Sequence, residues 1–382
     1  MKTPLAWLQL SKEKRRLLIA IAGIGFADML MFMQVGFQSA FLNSSVKLHK
    51  ALDGDIFLMS SQSNSLIFTK SFSERRLYES LAIEQVESVQ PIYLDFGLWK
   101  NPVEHNLRTI FVIAFDPTNN ILNLPGVGEN IEQIQLDNFV LFDEKSRIEF
   151  GSIPKLLKQN NTVNTELNSR QITVGGLFSS GISVSVDGNV ITSDLNFLRL
   201  FPNRQQGLID IGLINLKPNA NLETTLAALR NKLPEDINVF SREEFIHKEI
   251  EHWQNSTPIG FIFTLGTVIG FIVGIVIVYQ ILYTDVINHL SEYATLKAIG
   301  YKDIYFVTLV FQEALILAVL GFIPGFFVAS GLYLLAVSST GLPMFMTLSR
   351  SIGILILTII MCCVSGSMAI RKLSAADPAD IF

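Results

Sequence analysis

Long apolar runs divide this chain of 382 residues unevenly: one lies near the start, three crowd the last third, and a mostly polar stretch over 43–255 separates the first from the second. A helix of about 20 apolar residues crosses the roughly 30 Å hydrocarbon core of a bilayer. The pattern therefore predicts spans over 17–42, 256–284, 304–337 and 351–370. No charged residue falls between Pro258 and Thr284, and Ser338-Ser339-Thr340-Gly341-Leu342-Pro343 supplies turn chemistry for a short loop, 338–350. The expected class is an α-helical membrane protein with four transmembrane helices and a large α+β extracytoplasmic domain, 43–255, inserted between helices 1 and 2.

Within the insert the period changes to short strands. Asp55–Met59, Ile110–Phe115, Gln171–Gly175 and Ile182–Val186 carry the β-branched and aromatic content of strands. Leu208–Leu216 reads as a strand, Pro218-Asn219-Ala220-Asn221 as a turn and cap, Leu222–Leu233 as an amphipathic helix and Ile237–Phe240 as a strand, which together make a β-α-β unit. Ser73–Glu84 reads as a helix, so the two ends of the insert are expected to build one α+β subdomain and its middle a β-rich lobe. Ser241 caps a last helix, Arg242 to Gln254, that runs almost into the second span with Pro258 at the joint. A helix continuous with a span can carry movement. His247, Glu249 and His252 on it lack the spacing of a metallopeptidase set, and a solvated face without metal is expected.

Charge sets the orientation. Lys12, Lys14, Arg15 and Arg16 precede the first span, and such clusters stay cytoplasmic. Segment 1–16, with Trp7 and its leucines, then forms an amphipathic helix anchored on the inner membrane surface. The loop 285–303 and the tail 371–382, with Arg371 and Lys372, fall inside, and 338–350 falls outside. A signal peptide would have a shorter apolar region, and Phe37-Gln38-Ser39-Ala40 is a poor cleavage site. Charged residues make up 16% of the chain, against about 25% in soluble domains. With a net charge of −5 there is no basic excess to suggest a nucleic-acid partner. Cys362 and Cys363 are adjacent in an apolar run, and the insert has no cysteine.

No phosphate-binding loop, nucleophile turn or zinc motif occurs. The expectation is a chain with no catalytic residue and no cofactor or metal of its own, the membrane part of something powered elsewhere. Gly266, Gly270 and Gly274 repeat at four-residue spacing, and Gly321 with Gly325 does so once more; such a smooth strip serves close helix packing or a homodimer seam. Asp28 and Glu313 interrupt the spans, each at a cost of about 2.5–3.5 kcal/mol on insertion scales. They read either as a proton relay or sensor, or as buried hydrogen bonds to a neighbouring Ser, Thr or Gln.

The inside loop carries the most specific string, His289-Leu290-Ser291-Glu292-Tyr293-Ala294-Thr295-Leu296-Lys297-Ala298-Ile299-Gly300-Tyr301, a short helix stopped by Gly300. It resembles the coupling segment of the FtsX, MacB and LolC/LolE permeases in Glu292, Lys297, Ala298 and Gly300, and departs from it at Tyr293 and Ala294 and in lacking a leading Arg. With Pro4-Leu5-Ala6-Trp7-Leu8-Gln9-Leu10, Phe26-Ala27-Asp28-Met29-Leu30-Met31-Phe32-Met33-Gln34 and Asp377-Pro378-Ala379-Asp380-Ile381-Phe382, the chain resembles a DevC-type permease. The resemblance implies a homodimeric permease in the bacterial inner membrane, both termini cytoplasmic. A separate ABC ATPase carrying ATP and Mg would dock at Leu290, Glu292, Tyr293, Lys297, Ala298 and Gly300. An adaptor of the membrane-fusion class and a TolC-like outer-membrane protein would meet the external domain, with glycolipid as cargo. An FtsX-like signal relay to an extracytoplasmic hydrolase, and a lipoprotein-releasing permease, share the four-span plan. Val286, Ile287, Leu290, Tyr293 and Leu296 supply an apolar surface for a partner's groove, or for the lipid headgroups.

Overall fold

The computed structural model describes residues 5–183 and 185–374; Pro4 and the matched string 377–382 lie outside the described residues. Two compact units result, Met1–Ala40 with Pro258–Phe382, and Phe41–Thr257.

In chain order the elements are α1 (Leu5–Lys12) and α2 (Lys14–Ser45), then those of the insert: α3 (Lys47–Ala51), β1 (Ile56–Ser60), β2 (Phe72–Ser73), α4 (Glu74–Glu79), β3 (Val86–Lys100), β4 (Leu107–Phe115), α5 (Val127–Asn130), β5 (Phe139–Asp143) and α6 (Ile153–Asn160). The insert continues with β6 (Val163–Leu167), β7 (Arg170–Phe178), β8 (Asn189–Ser193), α7 (Asp194–Leu200), β9 (Leu208–Ile209), β10 (Ile211–Leu216), α8 (Leu222–Lys232), β11 (Ile237–Ser241) and α9 (Arg242–Asn255). The chain then returns to the membrane unit as α10 (Pro258–Asn288), α11 (Leu290–Ala298), α12 (Asp303–Thr340) and α13 (Leu348–Ser374).

The inserted domain is built on one nine-stranded sheet in the order β11-β1-β10-β3-β4-β8-β5-β7-β6. Strands from the two ends of the insert make one half of it. Those from the middle make the other, so the expected β-rich lobe is continuous with the α+β part: β3 pairs β10 on one side and β4 on the other. Alternating side chains give the sheet two buried faces. Ile56, Leu58, Trp99, Val112, Val140 and Phe197 lie in one core, and Phe57, Met59, Phe111, Ile113, Leu141 and Phe245 in the other. The unit β10-α8-β11 forms as expected, with β1 between its strands and antiparallel to both. Asn221 caps α8 by accepting from Thr224 N–H at 3.0 Å, and Ser241 with Glu244 makes a full capping box on α9.

Two strand expectations fail for polar reasons. Among the described residues of 182–186 there is no strand: Ser183 and Val186 bond to each other (Ser183 N–H to Val186 C=O at 2.9 Å), and on either side the buried Asp143 carboxylate gathers the backbone N–H groups of Ser180 (3.1 Å) and Gly181 (2.8 Å) and the Asn189 amide (2.9 Å). Gly181 takes φ +87°, and the strand begins only at Asn189. The run 208–216 is split at Asp210, whose carboxylate accepts from Leu94 N–H at 2.7 Å and Ser71 Oγ at 3.0 Å and pairs with Arg204. Burial pushes that carboxyl up, with Arg204 opposing. α9 is not a solvated helix throughout: Phe245, Glu249 and Trp253 are buried along it. Among the described residues no group of His, Cys, Asp and Glu is arranged to hold a metal.

Among the described residues four helices, all in the membrane unit for most of their length, are long and apolar enough to cross a bilayer. Each runs past its apolar stretch into polar residues, so α10 extends to Asn288 and takes in residues 285–288. α2 packs against all three others, bringing Ile24 and Ala27 together with Val278, Leu317 and Met361.

Candidate functional site

The coupling string folds as α11, and its end is fully specified by backbone chemistry. Ala298 is the last helical residue and Ile299 the C-cap; Gly300 N–H donates to Lys297 C=O at 3.0 Å and Tyr301 N–H to Leu296 C=O at 3.2 Å. This pair of bonds is the Schellman stop, and it requires the left-handed φ of +108° that Gly300 supplies. Gly300 has open space where a Cβ would go, so only its conformation selects glycine.

The apolar surface expected to fill a partner's groove is largely used within the chain. Tyr293 and Val286 are buried with Ala6 of α1 and Phe306, Leu309 and Val310 of α12, and the Tyr293 and Phe306 rings lie 5.3 Å apart. Leu290 and Leu296 are half-buried, whereas Ser291, Glu292, Thr295, Lys297, Ala298, Ile299 and Gly300 are exposed. α11 thus presents a mainly polar face, held firmly by one aromatic anchor. The α1 helix is packed as well, through Ala6, Gln9 and Leu10, and leaves Trp7 and Leu8 exposed. Burial, then the carboxyls of Glu313 and Asp285, push the Tyr293 phenol up.

Behind α11 lies a polar cluster that pattern reading divided among separate elements. Asp285, near the end of α10, is buried; its carboxylate lies 3.6 Å from an Arg16 guanidinium nitrogen, which also meets Glu13 at 2.6 Å. The Asn288 side-chain oxygen accepts from the same Arg16 nitrogen at 2.8 Å. His289 Nδ1 sits 3.0 Å from the Asp285 backbone oxygen and 3.8 Å from its carboxylate. Glu313 reaches this cluster from α12. It forms no hydrogen bond to a Ser, Thr or Gln, contrary to the simpler expectation, because its neighbour is the Asp285 carboxyl.

Residues 264–378 match the family model described as FtsX-like permease C-terminal. Over this stretch, just under a third of its length, the chain is similar to the FtsX-like permeases. The matched residues include all of α11 and Glu313, whereas Asp28, α2 and the insert lie outside the match. None of the curated proteins compared matches significantly. Similar solved structures include the periplasmic region of MacB from Actinobacillus actinomycetemcomitans, with a TM-score of 0.38, 13% identity, and cover of 54% of this chain and 95% of that one. Another is the extracellular domain of YknZ, a noncanonic ABC-type transporter from Gram-positive bacteria, with a TM-score of 0.34, 11% identity, and cover of 49% and 99%.

The glycine strip of α10 packs inside the bundle. A Cβ at Gly266 would meet Gln34, at Gly270 Met31, and at Gly274 Met361 and Ala27, so α10 lies close against α2 and α13 along it. Gly321 and Gly325 likewise admit α2, with the Gly25 carbonyl oxygen 2.9 Å from a Cβ at Gly325. Asp28 lies at this crossing, fully buried, and accepts from Thr358 Oγ1 of α13 at 2.6 Å. It follows the hydrogen-bond reading, with a threonine as its partner.

Proposed function

We propose that this permease is the membrane subunit of a DevC-type ABC exporter, in which a separate ATPase docks on α11 and the inserted domain works outside the cytoplasm. The observation that carries the reading is the dual character of α11: a polar face bearing Glu292, Thr295 and Lys297 is exposed, while Tyr293 fixes the same helix to the bundle. A docked partner can form rim charge pairs with such a face, and force applied there passes to α10 and α12 through buried contacts rather than being lost in a loose loop. Lys12 and the basic residues Lys14, Arg15 and Arg16 at the start of α2 support a cytoplasmic position for this face.

Two chain connections, α2 to α3 and α9 to α10, lead between the bundle and the inserted domain. Tilting the spans displaces both, and the domain changes shape and expels cargo, a glycolipid on the DevC resemblance, into an adaptor and a TolC-like duct. The permease acts as a homodimer, with its seam on a face other than the glycine strip.

Affinity purification from membranes in mild detergent tests this reading. An ATPase, a membrane-fusion adaptor and an outer-membrane duct are expected together. Recovery of a cell-wall hydrolase in place of the adaptor would assign the chain to the signal-relay class, and a soluble lipoprotein carrier would assign it to lipoprotein release.

A further inference from the structure

Gln9 Oε1, Asp285 Oδ2, Tyr293 Oη and both carboxyl oxygens of Glu313 are buried without a hydrogen-bond partner. They come from α1, α10, α11 and α12, and packing gathers them: Ala6, Val286, Tyr293, Leu309 and Val310 share one buried cluster and Leu282, Ala314 and Leu317 the next, so the residues flanking Asp285 pack on those flanking Glu313 and the two buried carboxyls are neighbours. Two bare carboxylates have four acceptor oxygens and no donor between them. As neighbours in a site removed from water two carboxylates repel, and one of them is favoured to keep its proton.

The charges facing the pair do not remove the conflict. Arg16 is the one permanent cation set against it among the described residues; it reaches only Asp285, at 3.6 Å, and is closer to Glu13 at 2.6 Å. His289 lies 3.8 Å from Asp285. On the α11 side stand the neutral Tyr293 phenol and the Glu292 carboxylate, and on the α1 side the uncharged Gln9. Among the described residues no ion pair reaches Glu313.

We propose that the Asp285–Glu313 pair is a proton-binding site, holding one proton between two carboxyl oxygens at the root of the coupling helix. With the proton present, the O–H of one acid donates to the other and α12 is tied to the end of α10 directly behind Tyr293. When the proton leaves to solvent, the pair gains one negative charge and the two helices are pushed apart at the point where α11 begins. The site thereby makes the stiffness of the coupling helix responsive to protons. This regulatory role rests on the docking reading above; the proton itself does not.

Infrared spectroscopy of the purified full-length permease in lipid at neutral pH reads the proton directly. A carboxylic-acid C=O stretch is expected, one component of which disappears in Glu313→Gln and shifts or disappears in Asp285→Asn, while Asp28→Asn removes a different component or none. Spectra of Glu313→Gln and Asp285→Asn that both superimpose on the wild type in this region would overturn the proposal, and two variants allow the test even where one does not fold. As a second arm, permease-stimulated ATP hydrolysis is expected to fall as pH rises in the wild type and to lose that pH dependence in Glu313→Gln, which mimics the protonated acid. Stimulated turnover with the same pH profile in both would overturn the regulatory role. Where the ATPase reading itself fails, stimulation is absent at every pH while the infrared component persists.

Discussion

At the scale of single residues, the bundle is decided by where side chains are missing and where one buried acid finds a donor. Gly325 faces backbone: a Cβ there meets the Gly25 carbonyl and the Asp28 Cβ, both at 2.9 Å. Gly274 faces mainly the Met361 thioether, which can swing aside. Gly325→Ala is therefore expected to destabilise the folded permease by about 1–3 kcal/mol, as overpacking does, and Gly274→Ala by less; thermal melts in detergent rank the two. Thr358→Val strips the hydroxyl from Asp28 and leaves a buried carboxyl oxygen without its donor. A loss of about 1–3 kcal/mol is expected, together with a weaker effect of the same change when Asp28 is already Asn. The acids and the glycine spacing are plain in the sequence, since both are anomalies in apolar helices. Their partners are not: Thr358 is one threonine among many, and nothing in the string around Asp285 reveals that Glu313 will meet it.

At the scale of elements, α11 and α9 were legible for opposite amounts of their chemistry. The Gly300 stop follows from one residue type at a helix end, and the structure supplies both of its hydrogen bonds. Gly300→Ala forces an L-residue to the left-handed side at a cost of roughly 1–2 kcal/mol, so α11 is expected to fray at its end and stimulated ATP hydrolysis to fall while insertion and folding persist. For α9 the periodicity gave the helix and hid its use. Glu249 accepts from Trp253 Nε1 at 2.7 Å and Leu66 N–H at 3.0 Å, and lies 3.3 Å from His49 Nε2 of α3. The first helix of the inserted domain is thus clasped to its last, a pairing across 200 positions that no local pattern can show. Glu249→Ala leaves three buried donors unpaired and is expected to cost about 3–5 kcal/mol. Denaturant unfolding of the full-length protein followed by tryptophan fluorescence measures it, and Glu249→Gln should lose less.

At the scale of the whole molecule, the order of spans and insert is a direct consequence of hydropathy, because a bilayer admits few alternatives for runs of this length. The sheet order is not, since it depends on pairings between strands far apart in sequence, such as β1 with β10 and β11. The functional account rests on α11 being the place where a separate nucleotide-hydrolysing subunit presses on this permease. A photo-crosslinking residue at Thr295, exposed on α11, tests that contact in native membranes. The account predicts an adduct with the ATPase subunit whose yield changes with nucleotide; a segment that crosslinks to no such subunit, or that is labelled only from the extracytoplasmic side, would contradict it.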